Sequence, residues 1–178
     1  MAFNKDLVVA TAKAEGGYLE KKTGNIKYLY EKKANAGFNN YTKYGYEMHN
    51  LYPEVIDYPE RWCDCLVDWC FMKSYGVSNA RKLLGGDFDD YTVNSANLYK
   101  KKNAWYTEPE YADQIFFKND TRICHTGIVI DTTASYVKTV EGNTSDSSEV
   151  ISNGGAVCEK VYLKSNSRIA GYRAYIYE

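Results

Sequence analysis

Cys124-His125-Thr126-Gly127-Ile128-Val129-Ile130-Asp131 carries the clearest strand signal in the chain. Its alternating and β-branched residues predict a strand over 125–131. Working outward, strand patterns also fall at 114–118, 136–140, 157–163 and 169–176, separated by Gly, Asn, Asp and Ser clusters. On the N-terminal side the period becomes helical. Asn4 is a cap for a helix over 4–14, which Gly16-Gly17 ends. Pro59-Glu60-Arg61 opens a helix that runs to about Tyr75. Along it Cys63, Leu66, Val67, Cys70 and Phe71 recur at helical spacing, and Gly76 stops it. Shorter helices are expected over 78–84 and from a cap at Thr92 or Asn94 to Lys102. Residues 16–60 are rich in Gly, Asn, Tyr and Lys and read as a long loop with short helical turns. Helices first and antiparallel strands second describe an α+β fold with segregated layers, N-terminal helices packed on a C-terminal antiparallel sheet.

The 178 residues fit one domain, 1–178, with a helix-and-loop region over 1–60 and the principal helix and sheet over 61–178. A net charge of −1 with dispersed charges argues against a nucleic-acid partner. No apolar run reaches the ~18 residues of a membrane span. Five cysteines fit neither a disulfide framework nor paired zinc ligands, so free thiols, no metal and no cofactor are expected. The start, Met-Ala-Phe-Asn-Lys-Asp, lacks the pattern of a signal peptide. Synthesis in a reducing cytoplasm and a monomeric state are the resulting expectations. Eighteen tyrosines against six phenylalanines suit either an extended half-exposed groove or simply strands of a small sheet.

The chemistry centres on a thiol. A helix N-terminus favours thiolate, and Cys63 lies in the first turn of its expected helix. Cys65 lies about 200° further round and shares its side with Asp68, so it should point elsewhere. Cys70 reads as a small core residue, and Cys158 starts a strand far from any histidine. The chain has two histidines. His125 opens a strand and shares a face with Gly127, which leaves space beside it. His49, the alternative base, sits in the loop region. A base needs a third group to orient it. If 136–140 pairs with 125–131 as a hairpin, His125 lies about seven residues before the turn centre and Glu141 to Asn143 lie about seven to nine after it. Glu141 is the first choice as orienter and Asn143 the second, although Asn143 also suits a simple turn. Cys63, through its amide N–H, is the natural donor to an oxyanion, with the Asp64 backbone nearby. Asp113-Gln114, at the start of the first strand, says nothing in isolation.

Together these residues resemble the CHAP family, the cysteine- and histidine-dependent amidohydrolases and peptidases related to the NlpC-like peptidases. Cys63 followed by Leu66 and Val67 matches the family's helix signature. His125-Thr-Gly-Ile-Val matches its strand signature, and Glu141-Gly-Asn143 the later one. The resemblance runs from about residue 60 to the C-terminus. Ala12-Lys-Ala-Glu-Gly-Gly-Tyr18 and Asn40-Tyr-Thr-Lys-Tyr-Gly45 are also similar to phage-encoded cell-wall lysins of this type. The resemblance implies a papain-like fold with Cys63 as nucleophile, His125 as base, and Glu141 and Asn143 as polar orienters. It implies a peptidoglycan hydrolase cutting either the N-acetylmuramoyl-L-alanine amide or a peptide bond of the stem or cross-bridge. Trp62, Asp64, Trp105 and Tyr106, with Tyr44 and Tyr46, are the expected substrate contacts. Release through a holin pore fits a leaderless lysin. Glu54-Val-Ile-Asp57-Tyr-Pro-Glu60 lacks the alternating aspartates of the calcium loop that some members carry, so no calcium is expected. Ala112-Asp113 stands where Gly-Asp is usual, and an appended wall-binding module is not expected. The competing expectations are a cytosolic cysteine peptidase or transferase with another substrate, and a non-catalytic wall-binding module.

Overall fold

The computed structural model describes residues 3–173. Among them, six helices precede a six-stranded antiparallel sheet. The helices are α1 (Lys5–Ala14), α2 (Ile26–Leu29), α3 (Lys43–Leu51), α4 (Cys63–Tyr75), α5 (Val77–Leu83) and α6 (Thr92–Lys101). The strands are β1 (Trp105–Tyr106), β2 (Gln114–Lys118), β3 (Ile123–Thr132), β4 (Tyr136–Thr144), β5 (Ala156–Leu163) and β6 (Ile169–Arg173), in the spatial order β1-β6-β2-β3-β4-β5. The fold is α+β, as the change of period along the chain predicts. The expected strand residues 174–176 lie outside the described residues.

Local chemistry explains the helix ends. The Asn4 side chain accepts from Asp6 N–H and starts α1. Thr42 Oγ1 accepts from Gly45 N–H at 3.1 Å and starts α3. That nine-residue helix lies where the sequence reads as loop, because its polar and tyrosine-rich face hides the apolar period. The principal helix begins at Cys63, not at Pro59. Glu60 caps its own neighbour, accepting from Arg61 N–H at 2.7 Å, and this local bond competes with helix formation ahead of Trp62. Gly76, at φ +77°, ends α4 as expected.

α4 is the central element. Every residue from Cys63 to Phe71 is buried, so these turns have no solvent-facing side. Leu66, Val67, Cys70 and Phe71 join Val8, Val9 and Ala12 of α1 and Ile128, Ile130 and Val140 of the sheet in one core. A second core of Ile115, Phe117, Val129, Val137, Tyr162 and Tyr172 draws on five strands. Cys65 is in the first core with its ionised form suppressed by burial and by Asp68, and Asp64 and Asp68 are themselves buried. The expectation that this side of the helix points elsewhere is corrected: it faces an interior layer.

Two glycines set how close the layers come. A Cβ on Gly142 would lie 2.7 Å from Leu66 Cδ2 and 2.8 Å from Trp62 Cζ3. The bare backbone there admits the first turn of α4 against β4. A Cβ on Gly127 would lie 2.6 Å from Glu141 Cγ and 2.7 Å from the Val140 carbonyl oxygen. Gly127 pairs with Glu141 across β3 and β4, and its missing side chain is the space through which the Glu141 side chain runs. The Glu-Gly-Asn segment lies inside β4 rather than after it. β5 extends the strand that far through the pairs Glu141 with Cys158 and Thr144 with Ala156.

Candidate active site

Cys63 is the first helical residue of α4 and 4 % exposed. Trp62, at the N-cap, makes no side-chain cap bond, so the first-turn N–H groups are left for other acceptors. His125 is fully buried on β3, its ring 5.7 Å from that of Phe117. Its Nε2 bonds Glu141 Oε2 at 2.8 Å. Nδ1 has no hydrogen bond of ordinary geometry among the described residues, which leaves it for the thiol. Cys63 acts on the ring directly: burial alone lowers the imidazole pKa, but the bonds and charges of Cys63 and Glu141 outweigh it and raise it to about 10. Thiol and carboxylate therefore act on one imidazole, and both favour its protonated form.

Glu141 is itself held. Thr139 Oγ1 donates to its Oε1 at 2.6 Å, and Tyr162 O–H donates to its Oε2 at 3.2 Å. A buried carboxylate with three donors has one orientation. Thr139 and Tyr162 carry no signal in the sequence as site residues. Only the pairing of β4 with β5 brings Tyr162 there.

Asn143 is not among the ring's partners. It takes a left-handed backbone, φ +54°, at the irregularity between β4 and β5. Its Oδ1 accepts from Gly155 N–H at 3.2 Å and its Nδ2 donates to Asn40 at 3.4 Å. Its side chain is thus engaged with Gly155 and Asn40, and its backbone lies inside β4 rather than in the simple turn expected. His49, the alternative base, bonds the Ile56 carbonyl oxygen through Nδ1 at 2.6 Å within the α3 region.

The expected substrate contacts fare worse. Trp62 is 1 % exposed, donates from Nε1 to Glu20 at 2.9 Å and stacks on Tyr44, so it is core. Tyr44 is buried too, with its O–H on Glu15 at 2.7 Å. Tyr46 packs edge-on against Tyr58. The Asp64 side chain turns inward, to Ser95 Oγ at 2.6 Å and Gln114 Nε2 at 3.0 Å, and burial raises its pKa to about 7. Trp105 covers Gly171 and packs on Phe116, and Tyr106 is half-exposed beside it. Both lie on the edge strand β1, with β6 and β2 between them and β3. Apart from Asp64 these are large aromatic side chains, which attract attention in a sequence. Their apolar rings are what bury Trp62 and Tyr44.

No protein-family model matches the sequence, and no curated protein matches it. Among solved structures, the fold is similar to the crystal structure of Ly7917, with a TM-score of 0.52 and 12 % identity over 97 % of this chain. The match spans 62 % of the length of Ly7917.

Proposed function

We propose that the protein is a peptidoglycan hydrolase that cuts an amide bond by thiol acyl transfer, on a papain-like fold of the CHAP type. One observation carries the chemistry: Glu141 takes Nε2 of His125 at 2.8 Å, in full burial, and Nδ1 is left for Cys63. The substrate class rests on the sequence resemblance to wall-degrading members of that family.

The steps follow from the charges. At neutral pH the His125 proton is retained against burial by the Cys63 and Glu141 charges. The Cys63 thiolate attacks the amide carbon, and the oxyanion is met by N–H groups of the first turn of α4. Bonding of the sulfur to carbon removes the thiolate charge in the tetrahedral intermediate. The ring then loses one of the contributions that raised its pKa, and burial gains weight, so Nδ1 gives its proton to the amide nitrogen as the C–N bond breaks, the amine leaves and the thioester forms. The neutral ring next takes a proton from water, and the resulting hydroxide releases the acyl group. Glu141 keeps the imidazole in place throughout, and Thr139 and Tyr162 keep Glu141 in place.

Clearing of purified bacterial cell walls tests this reading. Wild-type protein lowers the turbidity and Cys63→Ala does not. Equal clearing by the two removes the proposed nucleophile, and cleavage of small amides without clearing moves the substrate elsewhere.

A further inference from the structure

The residue that follows Cys63 and the residue that follows His125 are both held by one side chain. Gln114 Nε2 carries two protons. It donates one to Asp64 Oδ1 and the other to Thr126 Oγ1, each at 3.0 Å. Its Oε1 accepts from Tyr99 O–H at 2.9 Å. The Thr126 hydroxyl spends its own proton on the Ile115 carbonyl oxygen at 2.7 Å, so it can only accept from Gln114. The other oxygen of Asp64 accepts from Ser95 at 2.6 Å. Each donor and acceptor of the amide is thus used once, all in full burial, and only one orientation of it fits.

We infer that Gln114 is a positioning residue, which fixes the first turn of α4 against the start of β3 and so sets Cys63 relative to His125. The inference rests on reading these two residues as a thiol–imidazole pair. Contacts between α4 and the sheet near the site also include apolar ones, such as Leu66 and Trp62 around Gly142. Apolar contacts hold layers together without fixing their offset, whereas hydrogen bonds are directional. Displacing reacting groups by about 1 Å costs about 100-fold in rate. No ordinary replacement reproduces the bridge. Leucine has no donors, asparagine is one carbon short, and glutamate would present an acceptor to the Asp64 carboxylate.

The test uses Gln114→Leu and Thr126→Val, the second cutting the β3 end of the bridge, together with the Thr126 bond to the Ile115 carbonyl oxygen, while keeping the shape. In each folded variant the titration of His125 is followed by NMR of the ring C–H signals, with His49 as internal reference. The expected result is a His125 midpoint about one pH unit or more below wild type, because the contribution of the thiol fades with distance while burial persists. Wall hydrolysis should fall about 10- to 100-fold in kcat with KM little changed. A role limited to stability would lower the melting temperature and leave the midpoint alone. If Gln114→Leu does not fold, Thr126→Val decides. Midpoint and kcat at wild-type values in a folded variant overturn the inference. The titration needs no substrate, so a shifted midpoint in a protein that cleaves no wall keeps the positioning role and discards the proposed substrate.

Discussion

Replacing Glu141 by glutamine should move the His125 titration from about 10 to below about 7. The substitution keeps the size of the side chain and an acceptor for Nε2–H, but removes the charge. His125 and Glu141 are both fully buried, 2.8 Å apart. Burial is the largest influence on the ring and lowers its pKa, and Cys63 and Glu141 together reverse it. With one of the two gone, burial regains the upper hand. A displacement of about three pH units corresponds to on the order of 4 kcal/mol of lost preference for imidazolium. The ring would then be largely neutral at pH 7.5, and the thiol would lose its charged partner before any substrate arrives. Activity should fall about 100-fold, within the range of general acid–base contributions. NMR titration of the folded variant, read beside wild type and His49, measures the displacement. A variant midpoint that stays near 10 refutes the reasoning, because the carboxylate would then have no part in holding the proton.

The same site yields further expectations. Gly127→Ala places a methyl 2.6 Å from Glu141 Cγ and 2.7 Å from a backbone oxygen, so the Glu141 side chain must shift. Activity measured on cell walls should drop at least about 10-fold, with a stability cost of about 1–3 kcal/mol by urea unfolding. Tyr162→Phe removes one of the donors to Glu141 and should cost about 1 kcal/mol with a modest loss of kcat. Asp64 and Asp113 have pKa values raised to about 7, chiefly by burial, and His125 is raised to about 10. All three bind protons more tightly folded than unfolded. The contribution of the two aspartates is full below about pH 4 and lost as pH rises through about 7, and that of His125 is full below about 6.5 and lost through about 10. Unfolding by urea at a series of pH values should therefore show stability declining in two steps. Asp64→Asn should flatten the first step, and an unchanged first step in that variant would contradict its assignment.

The layered α+β plan was legible because strand and helix periods separate cleanly along the chain. Ile128, Val129 and Ile130 could be little other than a sheet, and Leu66, Val67 and Cys70 little other than a helix face. That Glu141 meets His125 was legible because the hairpin count brings it within reach of the ring, and Cys63 was legible as the first turn of its helix. The rest is hidden for physical reasons. Register decides that Glu141, opposite Gly127, reaches the ring while Asn143 takes a left-handed kink. No composition or period encodes that choice. Gln114, Ser95 and Tyr162 bond partners distant in sequence, so these contacts appear only once the strands are paired and α6 is docked. Trp62 and Tyr44 mislead because a large aromatic near a nucleophile suits a groove and a core equally well, and here packing wins.

The central claim is that Cys63 and His125 hydrolyse an amide of the bacterial wall, and mass spectrometry of the soluble products from digested, purified peptidoglycan tests it most directly. Wild-type protein should release fragments carrying a new free amine and a matching new carboxylate at one amide bond, and Cys63→Ala should release none. New reducing sugar ends in place of amines, no fragments at all, or the same fragments from Cys63→Ala would contradict it.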